Sequence, residues 1–348
     1  MFIPIILFTF HLFMQSTEKI IALENYLSNL SNKNALSGSI LIAHKSDIQF
    51  EKSYGHADIK NKLPNELNTI FKIASITKPV TATAIFQLQE KKLLSLDDPL
   101  STFISDFPNG DKICIKHLLS HTSGIPDVSA LPEFSTLKNN YTNPKKTSEL
   151  IKRLEIQFVP GSKHSYSSSN YLILAYIIEL VSQSSYEEYI SHNILIPADM
   201  SNSFFYPQDQ EKNNIALGYV KENDIQEASF LHMSWPSGSG GLYSNIHDLL
   251  KFSRALDTNI LISSESFHQM SSVTIPMDHE EMGYGYGYEI GQLQNKKYIG
   301  HPGKMFGFST YFLKFPDEEL TIILLENLED SLQNTKQKIL TIASLHLN

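Results

Sequence analysis

Strand-like segments lie at both ends of this 348-residue chain, and an almost purely helical pattern lies between them. Gly38–Ala43 and Ile48–Tyr54 read as two paired strands near the start. Tyr284–Ile290, Lys297–Gly300, Phe308–Phe315 and Leu320–Leu325 are spaced like antiparallel neighbours near the end, with a turn at Pro316-Asp317-Glu318. The intervening pattern predicts helices at Pro79–Lys91, Ile115–Ser120, Pro144–Leu154, Ser169–Val181 and Tyr186–Ile194. An amphipathic helix over Lys19–Leu30 and a closing helix over Asp330–Leu345 flank the strands. The Gly- and Ser-rich stretch Trp235–Tyr243 reads as a loop, followed by Asn245 as an N-cap with Asp248 as its capping-box partner. Strands at both ends with helices between imply one sheet assembled from both termini. The expectation is an α+β fold: one antiparallel sheet built from both chain ends, flanked by helices, with a mainly helical insertion. The sheet part would occupy 17–78 and 235–348, and the helical part 79–234, of a single domain over 17–348.

The junction between the first strands and the first buried helix carries Ser75-Ile76-Thr77-Lys78. A serine and a lysine three apart on a helix share one face. The amine can then take the hydroxyl proton, provided burial lowers its pKa from about 10 toward neutrality. The helix start also directs backbone N–H groups at an oxyanion. The spacing alone says little, because Ser16–Lys19 and Ser135–Lys138 fit it too. The segment after Lys78 sets it apart: Val80–Leu88 is free of charge and reads as a buried helix. Pro79 suits the first turn, where N–H groups have no intrahelical acceptor.

Other chemistries find little support. The net charge is −9, and no cluster of Lys and Arg interleaves with aromatics, so nucleic-acid binding is not expected. Cys114, the single cysteine, excludes an internal disulfide and reads as a buried structural residue. No Gly-x-Ser-x-Gly elbow or His-Glu-x-x-His helix is present. Neither a metal nor a cofactor is expected. The apolar run Phe2–Met14 is too short to span a membrane, which takes about 20 residues. It has the length of a secretory h-region, although no Lys or Arg precedes it and no small-x-small cleavage site ends it. We expect export with residues 1–15 as the leader; the alternative is an N-terminal helix packed on the domain of a cytoplasmic protein.

Two further constellations come later in the chain. Tyr166, within Pro160–Tyr171, stands just before an apolar helix and could face a cleft and relay a proton. His301-Pro302-Gly303 comes after a strand; in isolation it reads as a turn with a solvent-facing histidine. Its glycine would let substrate approach, and the next N–H, that of Lys304, could donate to an oxyanion. Together with Ser37–Ala43, Phe71–Lys78, Leu118–Pro126 and Gly240–Ser244, these stretches closely resemble the serine β-lactamase and penicillin-binding-protein superfamily, in particular its class C β-lactamase-related branch of hydrolases, D-peptidases and esterases. The likeness spans roughly residues 36 to 326.

The resemblance implies Ser75 as nucleophile, Lys78 as its base and Tyr166 as the tyrosine of the Tyr-x-Asn motif. His301-Pro302-Gly303 would be the Lys/His-x-Gly triplet lining the cleft, with the N–H groups of Ser75 and Lys304 as the oxyanion hole. Two positions depart from the pattern. Ser168 replaces the usual asparagine, and His301 replaces the lysine of classical β-lactamases, so a substrate carboxylate meets less positive charge. The implied activity is that of a serine hydrolase acting through an acyl-enzyme on an ester, a D-amino-acid-containing peptide or a β-lactam-like amide. A weakly catalytic or non-catalytic penicillin-sensing module on the same fold is the alternative.

Overall fold

The computed structural model describes residues 3–45, 47–206, 214–221, 223–277 and 282–347. Among them, eight strands form one antiparallel sheet: β1 (Gly38–His44), β2 (Asp47–Tyr54), β3 (Ile275–Pro276), β4 (Gly283–Tyr284), β5 (Glu289–Leu293), β6 (Lys296–Met305), β7 (Phe308–Phe315) and β8 (Leu320–Glu326). Their order across the sheet is β2-β1-β8-β7-β6-β5-β4-β3. The N-terminal hairpin thus pairs with the last strand, Ile40 opposite Leu324, and joins both chain ends in one sheet.

The central strands are apolar on both faces because helices cover both. Ile40, Ile42, Leu313, Ile322 and Leu324 pack on one side with Leu23 and Leu27 of helix α1 (Ile3–Asn32) and with Ile339 and Ile342 of the closing helix Leu332–Leu347. Their alternates Leu41, Phe312, Ile323 and Leu325 face the helical part. Each such side chain contributes about 1.5–3 kcal/mol by leaving water. Alternation by two sends neighbours to opposite cores, so the strands read as continuous apolar runs.

Helix α1 is longer than the expected Lys19–Leu30. The side chains of the apolar stretch where a leader was expected lie outside the described residues, and no described helix is long and apolar enough to cross a membrane. Helix α2 (Thr77–Glu90) is buried from Thr77 to Leu88, as its uncharged sequence implied. Its threonines stay satisfied: Thr81 donates to Gly238 O at 2.7 Å and Thr83 to Pro79 O at 2.8 Å.

Several expectations need correction. Tyr284–Ile290 is not one strand. β4 and β5 pair with each other, Gly283 opposite Ile290, around a turn at Gly285–Tyr288 in which Gly287 adopts φ +86°. Nor does His301-Pro302-Gly303 form a turn. β6 continues through it to Met305 and pairs with β7, Pro302 opposite Tyr311. Proline is tolerated because β5 pairs with β6 only as far as Gly300, which leaves residues 301–305 on an open edge. Within Trp235–Tyr243 the residues Ser237–Gly240 make one helical turn. Asn245 caps its helix by accepting from Asp248 N–H at 2.9 Å, but the Asp248 carboxylate turns away and accepts from Asn202 N–H and the Ser203 hydroxyl. Cys114 is half-buried rather than buried, and desolvation pushes its thiol pKa up.

Candidate active site

Strand β6 and the start of α2 meet at Ser75. The short helical turn Ala74–Ile76 runs directly into α2 and lies beside β6 at Gly303. Ala74 has φ +50°, a left-handed conformation that costs a non-glycine residue of order 1 kcal/mol or more. Neighbours hold it there. Thr77 Oγ1 donates to Ala74 O at 2.8 Å, Ile73 N–H donates to Leu242 O at 3.1 Å, and Thr310 Oγ1 of β7 donates to Ile73 O at 2.9 Å. Gly303 makes this approach feasible. A Cβ there would strike Thr310 Oγ1 and sit 3.1 Å from the Ala74 Cβ.

Ser75, Lys78 and Tyr166 converge. Lys78 Nζ lies 2.9 Å from Ser75 Oγ, and the Tyr166 hydroxyl donates to the same oxygen at 2.9 Å. Lys78 Nζ also donates to Ser239 O at 2.8 Å, from the single turn Ser237–Gly240. The lysine is fully buried, with its Nζ 4.8 Å from the centre of the Tyr166 ring and 5.6 Å from that of Tyr171. Desolvation lowers its pKa to about 7, against a weaker opposing pull from Asp127. Desolvation pushes the Tyr166 phenol the other way, upward, while its bond to Ser75 lowers it less. Tyr166 nevertheless keeps 45% of its surface exposed, so solvent moderates that push and the ring fronts the cleft.

His301 is brought to the site but does not face solvent; it is 1% exposed. Its Nδ1 lies 2.6 Å from Pro302 O, so that nitrogen carries the proton, and Nε2 accepts from the Tyr284 hydroxyl at 3.0 Å. Desolvation, then the nearby Lys78, lowers its pKa to about 3. A neutral, internally bonded ring offers no charge to a substrate carboxylate. Lys304 extends from the open edge of β6, with its ammonium 3.3 Å from Glu329. Ser168 begins helix α3 (Ser168–Ser182), and its N–H donates to Asp127 Oδ2 at 2.9 Å. Among the described residues, no group of three His, Cys, Asp or Glu side chains is gathered to hold a metal.

Four residues at the site were not anticipated. Buried His121 packs on Tyr166 with ring centres 4.3 Å apart, and accepts at Nδ1 from Ser167 N–H and Asn170 Nδ2. Tyr171 donates to Leu119 O at 2.8 Å, and Tyr284 holds His301. With Lys78 these rings form a desolvated cluster, and His121 is accordingly kept well below ordinary histidine values. The fourth is Asp127, six residues after His121. The only local signal for it was its capping position before the turn Val128–Ala130.

The sequence profile of the Beta-lactamase family matches residues 23–347. The chain belongs to the Beta-lactamase family. It is 29% identical over 324 residues to penicillin-binding protein 4* of Bacillus subtilis, covering 88% of this chain and 72% of that protein. It is 33% identical over 309 residues to the putative penicillin-binding protein PbpX of the same organism, covering 88% and 74%. Among solved structures, the octameric penicillin-binding protein homologue from Pyrococcus abyssi superposes with a TM-score of 0.79 at 30% identity, over 88% of this chain and 73% of that one. D-amino acid amidase from Ochrobactrum anthropi reaches 0.84 over 95% and 99%, at 19% identity, a likeness of fold. The fold is therefore the β-lactamase/transpeptidase type, built as a serine hydrolase scaffold.

Proposed function

We propose that the protein hydrolyses esters or amides of small acyl groups, including peptides containing D-amino acids, through an acyl-enzyme on Ser75. The observation that carries this reading is the buried amine of Lys78 at 2.9 Å from Ser75 Oγ, with a pKa brought to about 7 by desolvation. With the amine neutral, the Ser75 hydroxyl donates to its lone pair while an Nζ–H holds Ser239 O. Ser75 Oγ attacks the carbonyl carbon and its proton passes to Lys78. The carbonyl oxygen becomes an oxyanion and accepts from the N–H groups of Ser75 and Lys304. On collapse the bond to the leaving group breaks. The proton returns from Lys78 to that group through the Tyr166 hydroxyl, which bridges to Ser75. Tyr166 is a carrier rather than the base, because its phenol is pushed up and stays protonated. Water then cleaves the acyl-enzyme.

β-Lactams fit this site less well than esters. The neutral, buried His301 cannot grip their carboxylate, and Ser168 lacks the amide of the family's usual asparagine. Losing one charge-assisted contact costs roughly ten- to a hundredfold in rate. We expect kcat/KM for p-nitrophenyl esters to exceed that for nitrocefin by at least about tenfold. The test of the whole reading is labelling of the protein with a fluorophosphonate, followed by mass spectrometry. Label on Ser75 supports it; label elsewhere, or none with no ester turnover, contradicts it.

A further inference from the structure

The cavity beside Ser75 narrows the choice of acyl group. It measures about 160 Å³ and is bounded at the site by Ser75, Ser168 and Lys304, with Phe134, Leu172 and Trp235 in its wall. Lys78, Tyr166 and His301 do not line it. It therefore opens from Ser75 away from the groups that hand a proton to the leaving group. The part of the substrate that stays on Ser75, the acyl part, belongs in it.

Its walls are largely apolar, but Asp127 also lines it. Burial alone would raise this carboxyl, yet its donors outweigh burial and hold its pKa below the usual value. Oδ1 accepts from Ser129 N–H at 3.0 Å and Oδ2 from Ser168 N–H at 2.9 Å. Each carboxylate oxygen has two acceptor directions, so two N–H groups and the Ser129 side chain take three of the four and leave capacity toward the cavity. Neither nearby cation bonds to it: Lys304 has Glu329 at 3.3 Å, and Lys78 attracts the carboxylate only through space, its Nζ bonds going to Ser75 and Ser239. A carboxylate held charged beside an apolar pocket calls for a cation from the ligand.

We propose that Asp127 receives the protonated amine of an α-aminoacyl group whose apolar side chain lies against Trp235, Phe134 and Leu172. This rests on the hydrolase reading above and names its substrate class: aminoacyl esters and amides with a free amino group. An N-acylated amine would bring one N–H and no charge to the carboxylate, so acylation of the amine costs rate.

The test compares kcat/KM for phenylalanine methyl ester, each enantiomer separately, with that for methyl 3-phenylpropionate, which lacks only the amine. Wild type at pH 7 should favour the amine-bearing ester, in at least one enantiomer, by about ten- to a hundredfold. Asp127→Asn keeps an acceptor for the cap and removes the charge. It should bring the ratio down by about tenfold or more, and Asp127→Glu should restore part of it. Because both esters share one acylation step, the ratio is insensitive to any change in Lys78. An unchanged ratio in Asp127→Asn, or a wild-type preference for the amine-free ester, overturns the amine assignment alone. No turnover of either ester, with no fluorophosphonate label on Ser75, sinks the hydrolase reading and this one together.

Discussion

Ser75-Ile76-Thr77-Lys78 and Ser135-Thr136-Leu137-Lys138 share one spacing and differ in everything around it. Ser135 is exposed, in a four-residue helical turn, Phe134–Leu137, and Lys138 is half-buried, with its ammonium over the Phe306 ring at 4.7 Å. Lys78 is fully buried under α3 and the Ser237–Gly240 turn, ringed by Tyr166, Tyr171, His121 and His301. Spacing puts the amine near the hydroxyl; burial lowers its pKa to about 7, which in our proposal makes it a base. Only the first site also has a strand edge, β6, packed closely against it, at Gly303 beside Ile73 and Ala74.

The hardest way to break this comparison is to exchange the fates of the two serines. Ser75→Ala should lower ester kcat by about 10⁴-fold or more. Ser135→Ala should leave it within about twofold, as a surface change does. Initial rates with a p-nitrophenyl ester decide it, and a large loss in Ser135→Ala would dissolve the distinction. The lysines come next. Lys78→Arg keeps the charge but cannot lose a proton, so acylation should fall about a hundred- to ten-thousandfold. Lys138→Ala should change it by no more than about twofold. Near wild-type acylation in Lys78→Arg would make the lysine an electrostatic prop.

A smaller effect sharpens the role of the strand edge. Gly303→Ala forces β6 away from Ile73 and Ala74, and should cost about 1–3 kcal/mol in denaturant unfolding as well as rate. Full stability with full activity would mean that the close approach is not needed.

How much of this was readable depends on whether the signal is local. The pairing of both chain ends was legible, because Ile40–Ala43 and Ile322–Leu325 are buried on both faces and so read as unbroken apolar runs. The Ser75–Lys78 junction was legible because an uncharged helix with one lysine at its head is a local contradiction. Pro302 and Gly303 misled, since each normally punctuates a strand. Here β6 has no partner beyond Gly300 on one side, and that is a tertiary fact. The alternating Tyr284–Ile290 run looked extended, yet a turn with φ +86° at Gly287 folds it back on itself. Asp127 was one of 37 acidic residues, and nothing nearby says that it meets Ser75 across the cavity. The inward turn of His301 was likewise invisible, because it depends on the Tyr284 hydroxyl.

The claim that burial turns Lys78 into a base is tested most directly by the pH dependence of fluorophosphonate labelling of Ser75. The amine accepts a proton only when neutral, and its pKa is lowered to about 7, so labelling should be slow in acid and reach a plateau in base. We predict a second-order rate that rises about tenfold per pH unit below pH 7 and levels off above it. A rate still climbing through pH 9, or one flat from pH 5 to 9, would contradict the account.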